Sequence, residues 1–220
     1  MRYRNAPKIS TDWLVHSQSV DLLPAPRRVS NLCVREILTH LTHIFALDDE
    51  TPVSVQAFAF KHTWPLILHG AWHARSLRHR EGIHIVTNAV NIGMELSSQP
   101  NAKVTLTGGT IRWPGSFSMV GATAFHGIQQ LYFDKVFMGA TGIHPEHGLT
   151  VIESDEALIL SEMVRHGRQI IAVADASKLG MISTNRVCEP SKIHTIITDD
   201  SVSPKLVELF ERQQIHVICV

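Results

Sequence analysis

The sequence predicts an α/β fold, a mainly parallel sheet with flanking helices, preceded by an irregular N-terminal segment. Three observations carry this. From Gly82 onward, short continuous apolar runs alternate with amphipathic stretches, the signature of strands buried on both faces and joined by helices. Four of those runs end in glycines or small hydrogen-bonding residues. The composition also changes near residue 80: of thirteen glycines, only Gly70 precedes that point and twelve follow it. The net charge of zero hides the same break. Residues 1–80 carry ten Lys/Arg against six Asp/Glu, and residues 81–220 ten against fourteen, so +4 cancels −4.

Along residues 81–220 the elements follow one another in order. Ile83–Val86 reads as a short buried strand ending in Thr87-Asn88-Ala89, and Val90–Leu96 as a helix with Ile92, Met94 and Leu96 apolar. Val104–Leu106 is a second strand, closed by the turn Gly108-Gly109. Leu131–Met138 holds a third apolar run and ends in Gly139-Ala140-Thr141-Gly142. Ser154–His166 has helical spacing through Ala157, Leu158, Leu160, Met163 and Val164. Gln169–Ala174 is the most apolar strand and ends in Asp175–Gly180. Thr195–Thr198, the helix Pro204–Gln213 and a last strand His216–Val220 complete the series.

Residues 1–80 read differently. Pro7, Pro24, Pro26, Pro52 and Pro65 interrupt them, and each proline ends or forbids a helix nearby. Leu32, Ile37, Leu38, Leu41, Ile44 and Phe45 predict one helix over Val29–Leu47, with Ser30 or Asn31 as its cap. Val53–Phe60 alternates weakly, as a strand would, and His62–Arg80 has no clear period.

Several function classes are excluded on this reading. No apolar run reaches the ~18 residues of a membrane span, and no apolar stretch follows the first charges as in a secretory signal. Three distant cysteines (Cys33, Cys188, Cys219) form neither a disulfide framework nor a CxxC metal pair. The expectation is a cytoplasmic protein without membrane contact. His69 and His73 stand four apart and His40 and His43 three apart, but no Cys pair or HExxH motif completes a ligand set, so no metal is expected. Neither GxGxxG nor GxxxxGK[ST] occurs, so neither a dinucleotide site nor a Walker-type site is supported, and no cofactor is expected.

The strand ends carry the chemistry instead. In parallel sheets ligands bind beyond the carboxyl ends of the strands, and Thr87, Asn88, Gly108, Gly109, Gly139, Thr141, Gly142, Asp175 and Lys178 fall there. Glycines let backbone N–H groups approach an anion, while Thr, Asn and Lys add donors. Each turn alone is what any strand-to-helix connection wants; four in one chain predict a pocket for a small, phosphate-bearing ligand. Lys178 is the natural phosphate cation. Asp175 suits a sugar hydroxyl or braces its own turn. Arg112, after the double glycine, either approaches the anion or lies exposed, as most arginines do.

These residues resemble the C-terminal effector-binding domain of the DeoR family of bacterial transcriptional regulators. The resemblance runs from about Gly82 to Val220 through Val86-Thr87-Asn88, Leu106–Arg112, Phe133–Ile143, Gly148-Leu149-Thr150 with Glu156-Ala157, Val173–Gly180 and Ile197-Thr198-Asp199. It implies a fold similar to ribose-5-phosphate isomerase and the coenzyme A transferases, and a repressor of carbohydrate-metabolism genes. In such a regulator a phosphorylated sugar in this domain alters DNA binding by an N-terminal winged helix-turn-helix, and the whole acts as a homo-oligomer.

Two family features are missing from residues 1–81: the Asp-x-Gly-Thr-Thr loop that opens the sensor, and the Arg-Arg-Asp-Leu recognition helix of the DNA-binding part. Arg35 is the sole basic residue within Asn31–Leu47. The division expected is therefore an atypical segment at 1–80, degenerate or in an altered reading frame, and a sugar-phosphate sensor at 81–220. The alternative is a sugar-phosphate isomerase of the same fold, which needs a carboxylate base. Thr141 and Gly142 stand where the isomerases carry acidic residues, which leaves Glu153, Asp155 and Glu156 in the neighbourhood. Binding without turnover is the expectation.

Overall fold

A computed structural model describes residues 54–59, 83–97, 102–112 and 117–219. At its centre is a seven-stranded sheet. In chain order the strands are β1 (Ser54–Ala59), β2 (Ile83–Thr87), β3 (Ala102–Leu106), β6 (Phe133–Met138), β9 (Gly167–Val173), β11 (Thr195–Thr198) and β12 (His216–Cys219). In space they lie in the order β12-β11-β9-β6-β1-β2-β3, every pair parallel. The weakly alternating stretch at Val53–Phe60 is thus the middle of the sheet: Ala57 is level with Val86 of β2 and Val136 of β6. The sheet draws this strand from before residue 80. The helix expected over Val29–Leu47 lies outside the described residues.

The crossovers include α1 (Val90–Ser97), α2 (Ala122–Ile128), α3 (Ser154–Arg165) and α4 (Pro204–Arg212). Strands buried on both faces explain the unbroken apolar runs. Val136, Met138, Ile170, Ala172 and Ile196 belong to one core with Ile128, Leu160, Met163 and Phe210 of the helices. Phe137, Ile171, Val173 and Ile197, one residue out of step, belong to the opposite core with Ile92 and Leu96 of α1.

Both helices form where the sequence predicts them, but Met94, 70% exposed, and Leu158, 59% exposed, lie off their buried faces. Met94 is two residues from both Ile92 and Leu96, so it projects from the other side of α1. In α3 the buried face runs through Glu156, Ala157, Ile159, Leu160 and Met163, and Leu158 points opposite to its middle.

Short strands complete the fold. β4 (Thr110–Ile111) and β5 (Met119–Val120) pair antiparallel between β3 and α2. β7 (Gly142–His144), β8 (Gly148–Val151) and β10 (Asn185–Cys188) form a three-stranded antiparallel sheet in the order β10-β8-β7. Both insertions leave from carboxyl ends of the central strands.

Candidate functional site

Because the seven strands are parallel, their carboxyl ends share one edge of the sheet. The order reverses at β1: β2 and β3 follow on one side, β6, β9, β11 and β12 on the other. A reversal of this kind leaves a crevice beyond the carboxyl ends where adjoining crossovers depart to opposite faces. The nine candidate residues fall on both sides of it. Thr87, Asn88, Gly108 and Gly109 follow β2 and β3; Gly139, Thr141, Gly142, Asp175 and Lys178 follow β6 and β9. With neighbouring strands about 4.8 Å apart, the ends of β2 and β6 are about 10 Å apart, with β1 between them. In the sequence β1 is followed by Phe60-Lys61-His62 rather than Asp-x-Gly-Thr-Thr; those residues lie outside the described ones.

On the β2 side, the Thr87 hydroxyl accepts the Ala89 amide at 3.1 Å, holding the turn into α1. The segment leading into β5 crosses this strand end. The Phe117 carbonyl accepts the Val90 amide at 3.0 Å, and the Asn88 carbonyl accepts the Met119 amide at 2.6 Å. Asn88 is buried beneath it, its Nδ2 donating to the Met119 carbonyl at 3.4 Å. Its Oδ1 is buried and has no hydrogen-bond partner among the described residues, a state that costs about 1–3 kcal/mol of desolvation unless a partner is supplied. Gly108 and Gly109 have φ of +74° and +110°, and a Cβ on Gly109 would lie 2.5 Å from the Val120 carbonyl oxygen. The turn itself therefore requires glycine.

On the β6 side, the Thr141 amide donates to the Thr150 carbonyl at 3.0 Å. The Thr150 hydroxyl donates to the Gly142 carbonyl at 3.0 Å and accepts the Ser183 amide at 2.8 Å. A Cβ on Gly142 would lie 2.5 Å from the Met181 carbonyl oxygen, so the close passage of the Met181 backbone is what excludes a side chain there. Thr150, which the sequence offers only as part of the Gly148-Leu149-Thr150 motif, ties the β6 and β9 loops together.

After β9 the chain turns through Asp175 and a short 3-10 helix, Ala176–Lys178. The buried Lys178 places Nζ 3.0 Å from Asp175 Oδ2, and the Ser177 hydroxyl donates to Asp175 Oδ1. Burial pushes the Asp175 pKa up, but the Ser177 bond and the Lys178 charge outweigh it and hold the carboxyl below its usual range. Asp199, just past β11, accepts the Ala176 amide at 2.7 Å. Burial raises its pKa too, and the bonds from Ser201 and Ala176 bring it below the usual range. Asp199 positions the Lys178 turn. The sequence reading quoted it only as part of a motif. Beside it, Thr198 Oγ1 is buried without a hydrogen-bond partner among the described residues.

Arg112 takes neither of its two expected roles alone. It is largely covered, with Nη1 3.5 Å from Glu156 Oε2 and 3.8 Å from Glu153 Oε1. Glu156 is buried in the first turn of α3, so the β3–α2 connection is pinned to α3 by charge. Among the described residues one group, His144, Glu146 and His147, gathers three metal-ligand atoms within 4.8 Å of one another; it sits at the tip of the β7–β8 hairpin. His40, His43, His69 and His73 lie outside the described residues.

The chain is similar to proteins known as transcriptional regulators. It is 28% identical over 134 residues to the HTH-type transcriptional repressor GlcR of Bacillus subtilis, covering 61% of this chain and 51% of that one. It is 29% identical over 147 residues to a putative aga operon transcriptional repressor of Escherichia coli O157:H7, covering 67% and 54%. With the HTH-type transcriptional regulator GlpR of Haloferax volcanii it shares 34% over 133 residues, covering 60% and 51%. The chain thus spans about half the length of the curated relatives it matches. Among solved structures, ribose 5-phosphate isomerase from Plasmodium falciparum aligns with a TM-score of 0.41 at 8% identity, covering 66% of this chain and 52% of that one. The family model described as the DeoR C terminal sensor domain matches residues 71–200, and the chain belongs to that family.

Proposed function

We propose that this chain is the effector-sensing part of a cytoplasmic transcriptional repressor of carbohydrate-metabolism genes, and that it binds a phosphorylated sugar at the carboxyl edge of its parallel sheet. One observation carries the reading. The strand order reverses at β1, the place where parallel sheets bind ligands, and hydrogen-bonding and glycine-rich strand ends follow β2 on one side and β6 on the other, about 10 Å apart and so within reach of one small two-ended ligand. In this reading Gly139 and Thr141 line the sugar, Asn88 Oδ1 accepts a sugar hydroxyl, and Lys178 is the cation for the phosphate. Thr87, Gly108, Gly109 and Gly142 hold the turns that shape the site, and Asp175 holds Lys178 in place. The division at residue 80 into an atypical segment and a sensor belongs to the same proposal, as does assembly into a homo-oligomer.

The site binds and does not turn its ligand over. Proton transfer between adjacent carbons needs a base within hydrogen-bond reach. Thr141 and Gly142 offer none, and Glu156, the buried carboxylate nearby in sequence, is held by Arg112. Incubation of the protein with ribose 5-phosphate is expected to yield no ribulose 5-phosphate above the uncatalysed level; product formation abolished by Glu156→Gln would establish the isomerase reading instead. Binding itself is tested by the shift in melting temperature across a panel of sugar phosphates. DNA contact is a separate step, tested by gel shift at low salt. A phosphate-binding domain gives retardation that falls steeply as salt is added, and no retardation assigns this chain to sensing alone.

A further inference from the structure

We propose that the tip of the β7–β8 hairpin is a site for one divalent transition-metal ion, held by His144, Glu146 and His147. This is independent of the effector reading. His144 ends β7 and is paired with Gly148 at the start of β8, so only Pro145, Glu146 and His147 span the turn. The turn brings the two imidazoles side by side, with ring centroids 4.9 Å apart, and one ligand atom from each of the three residues lies within 4.8 Å of the others.

Two features make the tip a fixed platform. Pro145 is buried at its start and its ring locks φ. Gly148 closes the turn at φ +76°, packed so tightly that a Cβ there would lie 2.0 Å from the Cys188 carbonyl oxygen. The donors then need only side-chain adjustment. Zinc at about 2.0–2.1 Å from each ligand in tetrahedral geometry sets neighbouring ligand atoms about 3.3 Å apart. Glu146 and His147 are exposed, so rotamer changes close the remaining gap of about 1.5 Å at little cost.

The geometry of the ring also suits a metal: the Glu146 amide donates to His144 Nδ1 at 3.1 Å, so that nitrogen is aimed into the turn as an acceptor. Exchanging that amide bond for a metal bond frees an N–H at an exposed turn, where water takes it up. Two imidazoles and one carboxylate suit Zn²⁺, Ni²⁺ or Cu²⁺ rather than Mg²⁺ or Ca²⁺, and three protein ligands leave coordination positions open to solvent. Arg212 of α4 lines the cleft beside His144 and Glu146; it is mostly exposed and faces Glu208 at 4.0 Å, so its charge is partly offset there.

Zn²⁺ titrated into the full chain by isothermal calorimetry, in a non-chelating buffer, tests the site. The expected result is one equivalent bound, with affinity reduced roughly tenfold or more in His147→Ala and the equivalent lost in the double variant His144→Ala/His147→Ala. His147 is exposed, so the single variant keeps the fold, and circular dichroism verifies it for both. Substituting His69 and His73 together leaves the binding in place. No heat up to millimolar Zn²⁺, or binding unchanged in the double variant, overturns the proposal.

Discussion

At the residue scale, the proposed phosphate cation is Lys178. Lys178 is buried, tied to Asp175 at 3.0 Å, and aimed from a turn that Asp199 holds. Lys178→Met is expected to reduce sugar-phosphate affinity at least roughly tenfold, since a charge-assisted bond to phosphate contributes about 1.5–3 kcal/mol. Calorimetric titration of the folded variant measures it. The acid side has a definite sign. Asp175 and Asp199 both titrate below their unfolded values, so the stability they contribute is full above about pH 4 and is lost as pH falls through their folded pKa values. The melting temperature of Asp175→Asn/Asp199→Asn should therefore fall less steeply than that of the unsubstituted protein below pH 4; parallel curves would remove these carboxylates from the account. Cys188 behaves in the opposite sense: burial pushes its thiol up to about 11. In the native protein at pH 8 it should resist a thiol reagent that modifies the exposed Cys219, with mass spectrometry of the labelled peptides as the readout.

At the scale of elements, the long strands and α1, α3 and α4 were legible in the sequence, whereas α2 and the insertions were not. Gln169–Ala174 and Thr195–Thr198 show as apolar runs because both of their faces are buried. β4 and β5 are two residues each and β7 three, too short for any period to emerge. Yet these pieces cover Asn88 and carry the turn around Gly142. Hydrophobicity alone also misassigned Met94 and Leu158, because which face of a helix is buried is decided by its neighbours rather than by its own composition. The candidate residues were legible as strand ends rich in Gly, Thr, Asn and Lys, and the topology sets them along one edge of the sheet. The ion pair of Arg112 with Glu156 and the bracing by Thr150 and Asp199 were not legible, since they join residues 23 to 44 positions apart. The β7–β8–β10 sheet gives its own prediction. Gly142→Ala drives a Cβ to within 2.5 Å of the Met181 carbonyl oxygen, which should cost about 1–3 kcal/mol. Gly148→Ala adds an unfavourable φ to a closer clash and should cost more. Urea denaturation of the two variants checks both the size and the order.

At the scale of the whole molecule, the break near residue 80 and the seven-stranded sheet describe one chain from two directions. The composition separates a glycine-poor, basic start from a glycine-rich, acidic remainder. The topology sets a strand from before the break, β1, between β2 and β6, at the point where the strand order reverses. Its weak alternation gave no hint of that position, because a central parallel strand does not show the period of a half-exposed one. The chain therefore has the sheet of a sensor while lacking, after β1, the Asp-x-Gly-Thr-Thr sequence expected there. The measurement that tests the central claim most directly is thermal unfolding across a panel of sugar phosphates, with inorganic phosphate and the unphosphorylated sugars as controls. A ligand that binds only the native state adds about 2.7 kcal/mol at one hundred times its Kd, a rise of several degrees for a chain of this size. The account predicts such a rise for at least one sugar phosphate, absent with the free sugar and greatly reduced in Lys178→Met. A folded protein whose melting temperature is unmoved by every sugar phosphate at millimolar concentration would contradict it.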